Sequence, residues 1–476
     1  MNETRQIGVL KSLAEVAEAR KRSGRRTYLA SVRVSPGTYL VVSSVLTFAA
    51  ALLLRSEHEG WALISLIVAW AMVPALAFTD RIAFDGQMLV RRGLIPFLQR
   101  FVSGQKQQLG VADFERVDTN AVRTLRRGGR VRYRYRSQIA GKGTDFVLAS
   151  GGSGYREMVR QLFPLIHNDK LDLRTRDLRD YLCDPKLLSR EAKALQLAST
   201  DVLENATSDF RLGGWRDLNE PQERPLETPA PAIERALMLR ELGNKLRIAG
   251  RLKEAREAFR RALIVLPQDG WLIFDFARLL RSQASALSDV NLLARARAAL
   301  RLSSMRAKQD AGLLAVIGES FLEYNDSNRA ERVFQRAIEN EPLSYRARLG
   351  LADVALRNGK LAHVIHQYRD AALATTEKAL SAFAKREADY YVRLNDDDDY
   401  LSAELRRINW LQTFSHIRRL AARITNASIL IALVGPYLDP AIASMGWALA
   451  SSSLVAWLLG ILGTRILAGR RNRPLD

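Results

Sequence analysis

Within nine residues the chain places Arg126, Arg127, Arg130, Arg132 and Arg134, the densest run of side chains able to bind a ligand. In residues 131–135 valine and two tyrosines alternate with Arg132 and Arg134, and a period of two sets these arginines on one face of a strand. Such a face can meet anionic membrane lipid, where each basic residue is worth about 1 kcal/mol. It can equally be a solvated face whose charges keep a sheet edge from pairing. His363 and His366 could share one face of a helix, but no third metal ligand accompanies them. The aspartates at 396–399 are consecutive, so they lack the alternating ligands and the glycine of a calcium loop and read as a solvated turn between helices. Cys183 is the single cysteine, which excludes an intrachain disulfide and a cysteine metal site. The sequence holds no phosphate-binding G-x-x-x-x-G-K-[ST] loop, no G-x-S-x-G elbow and no H-E-x-x-H. No catalytic, cofactor-binding or metal-binding residue is expected, and the chain does not read as an enzyme.

Whatever these residues do is fixed by where the chain sits. Residues 36–54 and 60–79 are apolar stretches free of charge, and a second pair lies at 424–438 and 441–464. About 20 apolar residues at about 1.5 Å rise cross a hydrocarbon core roughly 30 Å thick. Four crossings in two hairpins are expected, the third being short and interrupted by Gly435-Pro436, with a re-entrant third segment as the alternative. Arginines flank both hairpins: Arg25, Arg26, Arg33 and Arg81 at the first, Arg418, Arg423, Arg465 and Arg470 at the second. By the positive-inside rule both termini and the central region are cytoplasmic. The chain carries 72 Lys+Arg against 51 Asp+Glu, a formal +21. That charge is spread over membrane flanks and every soluble segment, so a nucleic-acid partner is not expected. Pro74 inside the second apolar segment predicts a kink.

From residue 81 to about 150 the pattern becomes short alternating runs broken by turn signals. Asp85-Gly86 separates RIAF from QMLVRRGLI, Gly128-Gly129 separates VDTNAVRTL from VRYRYRSQI, and an amphipathic helix over 155–166 closes the unit. Several short strands and one helix directly after a two-span hairpin resemble the bacterial pleckstrin-homology-like domains, with LGVADFERVDTN matching the stretch that leads into the second sheet. The resemblance covers residues 80–168 and implies a small barrel or sandwich at the inner face of a bacterial inner membrane.

Residues 236–268 pair two helical patterns around Gly250. Gly243 and Ala255 stand where the helices cross, Leu239, Leu242, Leu246 and Leu252 stand inside, and Pro267 stands at the end. Residues 311–342 repeat this with Gly318, Phe321, Ala330, Phe334, Ala337 and Pro342, and residues 345–376 with Ala352, Ala355, Gly359, Leu361, Tyr368 and Ala371. Between them, 271–281 and 290–302 form a divergent copy with an enlarged turn. These segments resemble tetratricopeptide repeats, helical hairpins of about 34 residues that stack because one pair cannot bury its apolar face alone. The resemblance implies a concave surface for a protein partner, toward which Arg240, Asn244 and Arg247 should point. Arg240 and Asn244 match two positions of the clamp by which some family members hold a C-terminal carboxylate. The match stops there, because Asp275, Gly312 and Val316 stand where the clamp needs an amide and cations.

The expected architecture is a mainly α membrane protein. It comprises a basic arm (1–34), a transmembrane hairpin (35–79), the β domain (80–168), a linker (169–233), the repeats (234–378), capping and connecting helices (379–423), a second hairpin (424–467) and a basic tail (468–476). The expected function is a scaffold presenting its repeats to a cytosolic or membrane protein, with anionic lipid and a second copy of the chain as further partners. The alternative is a structural subunit of an envelope machine for secretion, pilus assembly or polysaccharide export. In that case Gly435, Gly446 and Ser451–Ser453 would be helix contacts with other subunits.

Overall fold

The computed structural model describes residues 28–34, 37–94, 96, 107–125, 131–141, 144–150, 153–197, 230–435 and 439–467. The chain forms two compact units, one of residues 1–42 with 67–386 and one of residues 43–66 with 387–476.

In the first unit, the described residues form seven strands in two antiparallel sheets. One sheet runs β1 (Ala30–Arg33), β2 (Arg81–Phe84), β3 (Met88–Arg92), β4 (Gln108–Gly110); the other runs β5 (Arg116–Leu125), β6 (Val131–Gly141), β7 (Thr144–Ala149). The expected hairpin at Asp85-Gly86 forms: Gly86 takes φ +97°, and Asp85 Oδ1 accepts the backbone N–H of Met88 at 2.8 Å. Strand β1 departs from expectation. It belongs to the segment assigned to the basic arm, yet it pairs with β2 from Ala30↔Phe84 to Arg33↔Arg81. The apolar helices α1 (Gly37–Arg55) and α2 (Glu59–Thr79) are therefore inserted between two adjacent strands of one sheet. The base of that insertion is pinned by buried Asp80. It accepts from Arg91 Nε at 2.9 Å and Nη2 at 2.6 Å, and from the hydroxyl of Tyr39.

Helix α3 (Ser153–Leu162) closes the β module, burying Tyr155, Met158, Val159 and Leu162 against Phe84, Leu89, Phe114 and Ile139. The module does not end at 168. Leu171 and Leu178 lie in the same core, on a segment that continues as α4 (Leu173–Tyr181) and α5 (Pro185–Ala194). The expected linker is thus folded over its first part. Residues 198–229 of that linker lie outside the described residues.

The repeats follow as helix pairs: α6 (Ala230–Ile248) with α7 (Leu252–Val265), α8 (Gly270–Leu287) with α9 (Val290–Arg306), α10 (Ala311–Glu323) with α11 (Ser327–Asn340), and α12 (Tyr345–Arg357) with α13 (Leu361–Ala374). One apolar core runs through them from Leu188 to Val354, which is the stacking that single pairs require. Small residues stand where the helices cross. A Cβ on Gly243 would come 2.8 Å from the Phe259 ring, and one on Gly318 2.5 Å from Phe334. Gly250 and Gly359 take φ of +80° and +71° in the tight turns. The second pair has no enlarged turn. Helix α8 instead runs on to Leu287 and stops with Ser288 in the left-handed region, because 282–287 (SQASAL) offers no breaker.

Helix α14 (Lys378–Asp396) follows the array, and Asp397 caps the next helix by accepting Tyr400 N–H at 2.9 Å. The aspartate run is therefore a helix junction. Beyond it, α15 (Asp398–Val434) is one continuous 37-residue helix, so the connecting helix and the third apolar segment are a single element. It packs antiparallel on α16 (Pro440–Leu467), with Gly435 against Ala443, Gly446 against Ala432, and Thr425 bonded to Ser453 at 2.9 Å. Of the small residues offered as contacts with other subunits, Gly435, Gly446 and Ser453 serve this intramolecular crossing, while Ser451 and Ser452 bond carbonyls of their own helix.

Four membrane crossings are not what the structure contains. Among the described residues two helices are long and apolar enough to span: Glu59–Thr79, of 21 residues and mean hydropathy 2.1, and Ala441–Thr464, of 24 residues and mean hydropathy 1.7. The apolar part of α1, Tyr39–Arg55, is shorter, and residues 424–434 of the expected third crossing are the last part of a largely polar helix. The kink expected from Pro74 appears as a π-helical turn, Val68–Met72, just ahead of it. A proline ring clashes with the carbonyl four residues back and has no N–H to give it, so the helix widens there.

Candidate functional site

The face made by the first helix of each repeat is where Arg240, Asn244 and Arg247 were expected to meet a partner. They do lie there, but residues of the same chain, from Glu115 and Tyr135 to helix α4, already pack against that face. Arg247 is buried and donates from Nη2 to Asp177 Oδ2 at 2.9 Å. Arg278, from α8, donates to the other oxygen of Asp177 at 2.7 Å. Asn244 is fully buried, and its amide oxygen accepts from Arg247 at 3.1 Å. Arg240 is turned to Asp275 at 2.7 Å, with its guanidinium 5.8 Å from the centre of the Trp271 ring. Arg247 holds helix α4, Asn244 holds Arg247, and Arg240 is committed to Asp275 and Trp271 within the repeats.

Helix α4 is positioned by its own sequence. Asp172 caps it by accepting Thr175 N–H at 2.8 Å, and the Thr175 hydroxyl, buried against β5, bonds Thr119 at 2.8 Å. Leu178 turns into the β core, so Asp177, one residue earlier, turns to the repeats. Burial alone pushes a carboxyl up, but Arg247 and Arg278 outweigh it and hold Asp177 below the usual carboxylate range.

The same contact recurs along the array. The Tyr135 hydroxyl, on β6, donates to the Ile248 carbonyl at 2.8 Å, where α6 ends. Arg346, on α12, holds Glu319 of α10 at 2.6 Å and reaches the Leu171 carbonyl. Buried Lys170 pairs with Glu377 at 3.1 Å, and Arg386 of α14 holds Glu115 at 2.6 Å. The β module therefore docks along the inner helices of the array from α6 to α14.

The arginine face divides differently. Arg134 and Arg136 are exposed on β6, while Tyr133 and Tyr135 on its other face stack with ring centres 6.2 Å apart. Strand β6 includes position 132, but the Arg132 side chain, with Arg126, Arg127 and Arg130, lies outside the described residues. Among the described residues no three His, Cys, Asp or Glu side chains gather as a metal site; His366 lies 3.4 Å from Asp370, and that carboxylate is held by Arg348.

No family model and no curated protein matches the chain. Three of the solved structures it is similar to illustrate the likeness, all at low scores. The crystal structure of MamA protein aligns at TM-score 0.25 and 17% identity, covering 36% of this chain and 95% of that one. The APC/C hetero-tetramer Cut9–Hcn1 aligns at TM-score 0.29 and 14% identity, covering 63% and 50%. The human IFIT1 dimer with PPP-AAAA aligns at TM-score 0.21 and 13% identity, covering 66% and 78%. The repeat assignment rests on this chain's own helix pairs: their length, their glycine crossings and their common core.

Sequence reasoning missed Asp177, Arg278 and the whole of α4. The signal that could have found them is short. An aspartate three residues ahead of a threonine, DLRT, marks a helix start, and Leu171 just before it with Leu178 and Leu182 after it stand at core spacing.

Proposed function

We propose that the chain is a membrane-anchored scaffold whose repeats bind protein, with its own β module as their resident occupant. One observation carries this: Asp177, on a helix of the β module, is gripped by arginines from two consecutive repeats. Catalysis forms no part of this reading, and its partner is a cytosolic or membrane protein. With the inner face occupied, that partner meets the second helices and the turns of each pair. The two spanning-length helices support anchorage, and the arginines flanking them support a cytoplasmic location for the soluble modules. Two sheets closed by a helix support the pleckstrin-homology-like reading of the β module, extended by β1 from ahead of the apolar insertion. Tethering raises the effective concentration of the repeats toward other membrane components, so modest affinities would suffice.

Membranes washed with alkaline carbonate should retain the full chain. Crosslinking on native membranes, read by mass spectrometry, should link α7, α9, α11 or α13 to another protein. A chain found in the wash, or crosslinked only to itself, would end this reading.

A further inference from the structure

Where α4 and β6 meet the repeats a cavity of about 260 Å³ remains, and its charges do not balance. Four arginines line it, Arg174, Arg247, Arg278 and Arg281, against two acids, Asp177 and Glu323. Each acid is shared: Asp177 by Arg247 and Arg278, Glu323 by Arg281 and Arg174. Two positive charges are left over. The nearby acid Asp275 is committed to Arg240 outside the cavity. Arg281 feels the excess most. Burial, with the like charges of Arg174 and Arg278, holds its guanidinium below its ordinary value although Tyr324 acts the other way. Its guanidinium lies 4.7 Å from the centre of the Tyr324 ring, and that of Arg297 lies 5.4 Å from the same ring.

We infer that this cavity is a binding site for a small dianion, a phosphate monoester, held between the β module and the repeats. A phosphate monoester carries about two negative charges near neutral pH, which matches the surplus. Its oxygens suit the planar fork of a guanidinium, which donates two parallel hydrogen bonds to a phosphate. The volume exceeds what a bare phosphate needs, one water occupying about 30 Å³ in the liquid. The walls beyond the arginines are Tyr133, Tyr324 and Ala277, surfaces fit for the organic part of an ester. The ligand would touch α4, α8 and α10 together, so its binding should tighten the docking of the β module. This inference does not depend on the scaffold reading.

The test is calorimetric titration of the full chain in detergent at low salt with adenosine 5′-monophosphate, inorganic phosphate and acetate. Saturable binding of the monophosphate, with inorganic phosphate weaker and acetate weaker still, is expected. Arg281→Ala should weaken it at least tenfold. Ser285→Asp adds a carboxylate to the cavity rim without touching an ion pair, and should do the same. Arg329→Ala, which removes an exposed arginine outside the cavity, should leave it unchanged. The inference is overturned if the monophosphate does not bind, if acetate binds as tightly, or if folded Ser285→Asp protein binds like the parent.

Discussion

Asp177 is the residue on which the docking of the β module turns. Removing one partner of a buried ion pair typically costs about 3–5 kcal/mol, and here one carboxylate serves two guanidiniums. Asp177→Asn should therefore lower the unfolding midpoint of the full chain in denaturant by a matching amount, with secondary structure kept below the transition. The pH dependence has a definite sign. Asp177 is held below its unfolded value of about 4, so its stabilising contribution is complete above that pH. It is lost as pH falls through the lower folded value. The stability curves of parent and Asp177→Asn proteins should converge in acid below about pH 4; curves that stay parallel would remove Asp177 from the docking. Gly318 offers a second test at this scale. A methyl there would stand 2.5 Å from the Phe334 ring, and overpacking of this kind costs about 1–3 kcal/mol. Gly318→Ala should destabilise the chain by that amount in chemical unfolding, although alanine is the better helix former.

At the scale of elements, strand β1 and helix α4 belong to the β module although neither is adjacent to its other strands in sequence. Val32, almost fully buried on β1, should not tolerate a charge. Val32→Asp places a carboxylate in an apolar core, and hydrogen exchange should then show faster opening of residues 81–84, the strand with which β1 pairs. Helix α4 should behave as core. Its amides are expected to exchange as slowly as those of α8 and α10, because its two faces are committed to different modules. An α4 that exchanges as fast as a chain end would mean that the β module does not dock. The junction of α2 and β2 is a further commitment, since Asp80 draws Tyr39, Arg91 and the strand ladder into one buried cluster at the foot of the apolar insertion.

For the whole molecule, the repeats and the β module are not beads on a linker. Contacts reach from Tyr135 at the end of α6 to Glu115 at α14, so the modules of the first unit should unfold in one transition. Calorimetry of the detergent-solubilised chain should show a single peak for the soluble part, shifted downward in Asp177→Asn. Two separated peaks would show that the modules fold independently.

The repeats, the strand-rich segment and the apolar helices were legible in the residues themselves. A glycine facing a phenylalanine, a turn at Asp85-Gly86 and a run without charge each act over a few neighbours, and their physics is local. Span number was less legible, because hydropathy counts residues but does not say where a helix ends; residues 424–438 carry the pattern of a crossing, yet 424–434 finish a helix that begins at Asp398. The pairing of β1 with β2 joins strands with the whole apolar insertion between them, and the pairing of Asp177 with Arg247 and Arg278 joins helices with no periodicity in common. Those contacts depend on complementary charge and shape across long loops, which no local pattern records. Sequence alone thus determined which modules the chain carries, and tertiary structure alone decided that one of them packs on the inner helices of the other.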